Sequence, residues 1–208
     1  MLIPFRELMI NYNLNVKGIL HVGAHECEEL VDYMRFRINP KNIYWIEAQP
    51  NKVNYIKSLK IPNIYQAIID EHDNKKVVFN VSNNGQSSSI LEFGTHSIHH
   101  PQVKYTDKFE ARTKRLDTLI DENNIPINDL NFINLDIQGV ELRALKSMEK
   151  YLKYINYIYT EVNEDYVYKD CNLIGEIDEY LNKFNFIRVA TKMQGKTGWG
   201  DAFYMKQI

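Results

Sequence analysis

A strand, a glycine turn and a second strand ending in an acid, all within residues 18–47, constrain this chain more than any other stretch. The segment opens as Gly18-Ile-Leu-His-Val-Gly-Ala-His25. Residues 18–22 read as a short buried strand, Gly23-Ala24 as a tight turn, and residues 26–36 as a helix whose N-terminus faces whatever lies over that turn. Glycine suits such a turn because backbone approaches a ligand closely where no Cβ intervenes. The next apolar run, residues 42–46, ends in Glu47, where a carboxylate can accept both hydroxyls of a ribose. The pattern is the nucleoside half of a Rossmann-like unit.

The turn departs from the dinucleotide fingerprint. A G-x-G-x-x-G loop presents backbone amides to a pyrophosphate, whereas here Gly23 stands alone, followed by Ala24, His25, Glu26, Cys27, Glu28 and Glu29. Three carboxylates in a first helical turn suit the helix dipole and repel a diphosphate. A cofactor with a ribose and no phosphate fits better, and S-adenosylmethionine is such a molecule. His25 is a candidate contact for its methionine carboxylate or for the acceptor. A nicotinamide oxidoreductase is the competing enzyme reading, weakened by the missing phosphate loop. A non-catalytic module that binds a nucleoside or a partner is the third.

Composition narrows the classes further. A chain of 208 residues with 44% hydrophobic and 25% charged content suits one globular domain spanning 1–208. A net charge of −2 without basic runs disfavours nucleic acid as a partner. Cys27 and Cys171 are too few for a secreted disulfide scaffold, and no stretch reaches membrane-spanning length. These features predict a cytoplasmic protein with no membrane insertion.

The remaining pattern alternates strand and helix. Residues 5–12 suit a short helix, 50–59 a helix opened by Pro50, and 64–69 a third strand ending at Asp70. Residues 75–81 suit a strand, Asn83 to Ser89 a polar loop, 95–108 an irregular stretch bearing His96, His99 and His100, and 109–113 a short strand. The alternation then restarts with helix 116–122, strand 132–136, helix 140–151 and strand 155–162. Helix 174–184, strand 186–190 and an antiparallel return at 201–205 complete the chain.

A second constellation lies at adjacent strand ends. Asn134-Leu-Asp-Ile-Gln-Gly-Val-Glu141 follows one strand and Thr160-Glu-Val-Asn163 the next, so Asp136, Gln138, Glu161 and Asn163 are candidates to converge at a crevice. Two chemistries fit. Asp136, Glu161 and Asn163 are hard oxygen ligands for Mg²⁺ or Mn²⁺, which would lower the pKa of a bound hydroxyl. Alternatively Asp136 or Glu161 acts without metal as the general base.

Seven segments then resemble, in order, those of FkbM-type S-adenosylmethionine-dependent methyltransferases. They are His21-Val-Gly-Ala-His25, Trp45-Ile-Glu-Ala-Gln-Pro50, Ala67-Ile-Ile-Asp70, Asn84-Gly-Gln-Ser-Ser-Ser89, Leu116-Asp-Thr-Leu119, Asn134 to Glu141, and Trp199-Gly-Asp-Ala-Phe-Tyr204. Each is weak alone; the ordered set covers nearly the whole chain. The resemblance implies an α/β, Rossmann-like class I methyltransferase fold, with a mostly parallel sheet and an antiparallel C-terminal strand. It implies O-methylation of a sugar or glycan acceptor, or a related natural product. Donor-site roles fall on Gly23, Ala24, His25, Glu47, Ala48, Asp70, Ser88 and Asp136. Two departures bear on the chemistry. Cys27 stands where the family often has a second glycine, and Gly139 stands where some related metal-dependent enzymes carry a basic residue. The base is left unassigned, with His96, His99 and His100 as loop candidates. Tyr166, Tyr168 and Trp199 are candidate stacking partners for a sugar face.

Overall fold

The protein's structure is a computed structural model, and residues 1–207 of it are described. Its elements in chain order are α1 (Phe5–Asn11), β1 (Ile19–Val22), α2 (Leu30–Arg35), β2 (Ile43–Glu47), α3 (Pro50–Ser58), β3 (Ile64–Gln66), β4 (Ile68–Ile69) and β5 (Lys76–Ser82). There follow α4 (His96–His99), β6 (Tyr105–Lys114), α5 (Leu116–Glu122), β7 (Phe132–Leu135), α6 (Glu141–Ser147), β8 (Tyr157–Asn163), α7 (Ile174–Asn182), β9 (Phe186–Met193) and β10 (Trp199–Lys206).

A seven-stranded sheet runs β3-β2-β1-β7-β8-β10-β9. Its pairings are parallel from β3 through to β8, and β10 runs antiparallel to both of its neighbours. Both faces are covered, which is why the central strands are apolar along their whole length. On one face Leu20, Val22, Ile133 and Leu135 pack with Leu119 of α5, Leu142 of α6 and Leu181 of α7. On the other, Ile19, Trp45 and Phe132 pack with Leu8 of α1, Tyr33 of α2 and Ile56 of α3. Period-two alternation along β1 thus feeds two cores from four residues.

Among the differences from the sequence expectation, four bear on the site and its supports. The helix expected from Glu26 begins at Leu30, because His25 (φ 46°) and Cys27 (φ 61°) adopt left-handed backbone that no helix continues. Glu26, Glu28 and Glu29 are therefore not its first turn. The third strand breaks at Ala67, whose N–H donates to the Glu47 carbonyl at 3.1 Å, and Ile68–Ile69 pairs instead with Thr113 and Lys114. β4, β6 and β5 form a separate three-stranded sheet, and the stretch expected to be irregular before residue 109 contributes α4 and the first half of β6. α6 stops at Ser147 and continues as a 3-10 segment over Glu149–Tyr154.

Candidate functional site

After β1 the chain moves outward through β2 and β3, and after β7 it moves the other way through β8. Such a switch point leaves a crevice at the carboxyl ends of the strands. Here it is a cavity of about 540 Å³, within the range of small-molecule sites.

Gly23 forms the cavity floor. Its φ is +93°, and a Cβ there would lie 1.8 Å from the Asp136 carbonyl oxygen, so the exits of β1 and β7 meet at a contact only glycine allows. The Gly23 and Ala24 amides both donate to the Ile46 carbonyl at 2.9 Å. This turn brings the His25 N–H to Glu47 Oε2 at 2.8 Å, while Gln49 N–H donates to Glu47 Oε1 at 2.8 Å. Burial raises the Glu47 pKa, and the two amides and nearby Lys52 oppose the rise. Each Glu47 oxygen keeps a lone pair for a ligand hydroxyl.

His25 and Ala48 line the same wall. The His25 Nδ1 lies 2.5 Å from Glu28 Oε1. Burial pushes Glu28 up, yet its bond with His25 and backbone amides outweigh this and hold it down to about 2. Ser88 also lines the cavity; its hydroxyl donates to the Gly85 carbonyl at 3.2 Å and accepts from Ser82 N–H at 3.0 Å. The serine loop is tied at both ends, by Gln49 Nε2 to the Gly85 carbonyl at 3.1 Å and by Ser89 Oγ to the Gln138 carbonyl at 2.8 Å.

The same cavity holds an acidic pair joined by an amide. Gln138, in left-handed backbone (φ 59°), donates from Nε2 to Asp136 Oδ1 at 2.5 Å and to Glu161 Oε2 at 2.7 Å. Asp136 meets solvent inside the cavity, yet enclosing protein raises its pKa. Glu161 is raised well above the ordinary range by burial, then by Asp136, Glu141 and Asp201. Repulsion within such a pair disfavours ionising both members. Behind it, Glu141 accepts N–H bonds from Ile137 at 3.0 Å and Gly139 at 3.1 Å, and burial pushes it up to about 7.

Four expected residues are not assembled as the sequence suggested, the first being His99, which is exposed and outside the cavity lining. Asp70 does not line the cavity: with β4 in the second sheet, its carboxylate accepts Glu71 N–H at 2.8 Å and meets Lys75 at 3.2 Å and Arg143 at 3.8 Å. Asn163 shares a face of β8 with Glu161 but is fully buried away from the lining, with both amide atoms unpartnered. Tyr166 is exposed and outside the cavity. The residues do not fit a metal ion, because the Gln138 amide already fills the space between Asp136 and Glu161 with a hydrogen-bond donor. Among the described residues no group of three or more His, Cys, Asp or Glu is placed to hold one.

His21 enters the lining without having been singled out. Asn134 Nδ2 donates to the Tyr33 hydroxyl at 2.9 Å, and that hydroxyl lies 3.1 Å from His21 Nδ1. The phenol proton is thereby directed to Nδ1, which leaves Nε2 as the N–H. Burial lowers this imidazole to about 3, so it is neutral. Asp201, paired with Glu161 across β8 and β10, accepts from the Tyr159 hydroxyl. Neither pairing is visible before strands from distant parts of the chain are aligned.

Residues 21–188 match the profile of the "Methyltransferase FkbM domain" family. Among solved structures, the methyltransferase FkbM of Methylobacillus flagellatus KT superposes with a TM-score of 0.60 at 13% identity, over 97% of this chain and 48% of that one. Magnesium protoporphyrin IX methyltransferase (ChlM) of Synechocystis PCC 6803, with bound SAM, superposes with a TM-score of 0.54 at 8% identity, over 97% of this chain and 76% of that one. At these identities the likeness is one of fold, and this chain spans about half the length of the Methylobacillus protein. No curated protein matches it in sequence. The profile match takes in the glycine turn, Glu47, the serine loop and the Gln138-bridged acids, and the chain belongs to the FkbM methyltransferase family.

Proposed function

We propose that the protein is an S-adenosylmethionine-dependent O-methyltransferase acting on a hydroxyl of a sugar, a glycan or a related natural product. The observation that carries this reading is that the bridged pair Asp136/Glu161 lines the same cavity as Glu47 and the Gly23 turn. The presence of SAM in the Synechocystis relative's structure supports the choice of donor; the acceptor rests on family analogy.

When bound, the donor supplies a methyl group on a sulfonium, already electrophilic. The protein's share is alignment and removal of a proton. Glu47 receives the ribose hydroxyls, with Gly23, Ala24, His25, Ala48 and Ser88 shaping the wall around them. The acceptor oxygen forms its bond to the methyl carbon as the carbon–sulfur bond breaks, its electron pair passing to sulfur. Asp136, open to the cavity, takes the hydroxyl proton, and Glu161 shares the Gln138 amide that fixes both acids. The proton transfer is assigned to Asp136 and is routed through no metal, since the Gln138 amide occupies the space between the two acids.

Calorimetric titration with S-adenosylhomocysteine tests the donor site before any acceptor is known. Micromolar binding, unchanged by Mg²⁺ or Mn²⁺, is expected. No binding to folded protein would overturn the reading.

A further inference from the structure

The cavity lining is predominantly acidic. Its lining carries Glu28, Glu29, Glu47, Asp136, Glu161 and Asp201, and no lysine or arginine among the described residues. Lys52 is close to Glu47 and to Gly85 without reaching the lining. The Met1 ammonium also lines the cavity, 3.9 Å from Glu29 Oε1, and its charge is felt at Asp136 and Asp201, so one terminal cation stands against six carboxyl groups. A pocket with a marked excess of one sign focuses its field on whatever enters. A sulfonium gains from this field and a second anion does not.

At the exit of β8 and the start of β10 the wall is built by α4 and the residues before it. The amides of Gly94 and His96 donate to the Val167 carbonyl at 2.9 and 3.1 Å, and Thr95 N–H donates to the Tyr166 carbonyl at 3.0 Å. A Cβ on Gly94 would lie 2.0 Å from that Tyr166 oxygen, so the docking is as close as backbone permits. It places His96 face to face with Phe93, centroids 4.3 Å apart, with His100 5.1 Å further on. Burial lowers His96 to about 4, and this wall therefore presents a neutral imidazole rather than a cation. Gln102 and the indole of Trp199 complete it. His96 Nδ1 and His100 Nε2 have no hydrogen-bond partner.

We propose that this end of the cavity, bounded by His96, His100, Gln102 and Trp199, is the acceptor subsite and selects an uncharged hydroxylated ring, rejecting the phosphorylated or carboxylated form of the same ring. Flat aromatic faces with amide and imidazole edges match the two faces and the hydroxyl rim of such a ring. A phosphate or carboxylate finds no lining lysine or arginine to pair it and meets the acidic pair within the same space. It follows that the ring is methylated in a form free of phosphate, before a phosphoryl group is added or after one has been removed or transferred. This inference rests on the proposed methyl-transfer reading.

The test is NMR of protein saturated with S-adenosylhomocysteine, following the indole N–H of Trp199 and the imidazole signals of His96 and His100. Trp45, fully buried, is the internal control, and Trp199→Phe assigns the signal. The probes are methyl β-glucoside, glucose 6-phosphate and glucuronate. The neutral glucoside is expected to shift Trp199 and the histidines and leave Trp45 unmoved, with the two anions at least about tenfold weaker. Gln102→Lys is expected to admit glucuronate. Anions that bind as well as the glucoside, or saturated protein in which no probe moves Trp199, would overturn the subsite. Failure of S-adenosylhomocysteine itself to bind would instead remove the donor reading beneath it.

Discussion

The Tyr168 hydroxyl donates to Gln138 Oε1 at 2.5 Å, and this contact decides which end of the Gln138 amide faces the acids. With the oxygen engaged, only Nε2 is left for Asp136 and Glu161. Replacing Gln138 by leucine leaves two close carboxylates without their shared donor, so each proton is held more tightly. The acid limb of the rate–pH profile should move to higher pH, with Tyr168→Phe giving a smaller shift in the same direction. Asp136→Asn should lower turnover by about 10²–10⁴-fold while binding of S-adenosylhomocysteine stays within a few-fold. Methyl-transfer assays beside calorimetry separate the two effects; an Asp136→Asn enzyme at wild-type rate would remove Asp136 from the mechanism.

Glu47 has two duties, and they predict two losses. Its oxygens accept the amides of His25 and Gln49 as well as facing the cavity. Glu47→Ala should weaken donor binding at least about tenfold and also destabilise the fold by roughly 1–3 kcal/mol, the cost of orphaned buried donors. Glu47→Gln keeps one acceptor and should recover part of the stability without the affinity. Thermal melts and titrations of both variants check the split, and equal affinity across all three proteins would sink the ribose role.

Glu141 ties stability to pH. Its pKa stands at about 7 in the fold against an ordinary 4.5, so between those values the folded chain binds the proton that the unfolded chain has released. Stability therefore falls as pH rises through that window, by a contribution on the order of 2–4 kcal/mol. Glu141→Gln should flatten this slope in denaturant unfolding measured across the window. An unchanged slope would show that the carboxyl is not the group responsible.

How much of this was legible depends on the range of the interactions. The β1 turn and Glu47 are local: glycine, an apolar run and a terminal acid lie within one short stretch, and the structure places them together. The late start of α2 was hidden because the left-handed backbone at His25 and Cys27 satisfies contacts with Glu47 and Glu28 that sequence spacing does not display. Asp70 ends an apolar run just as Glu47 does, and nothing in that run announces the break at Ala67 that carries it to another sheet. Alternation gave Asn163 the right face of β8 but no measure of depth. Gln138 was expected near the acids, while its role as their bridge needed Tyr168, thirty positions away.

The place of β10 has a consequence for how the protein comes to be. It lies between β8 and β9, although it follows both in the chain, and it brings Trp199 and Asp201 to the cavity. Until it is inserted, two strand edges face an open slot, the kind of exposed pairing surface that invites aggregation. Insertion of β10 therefore joins β9 to the rest of the sheet and supplies part of the cavity wall in one event, so a chain cut before Trp199 has neither the continuous sheet nor the whole cavity lining.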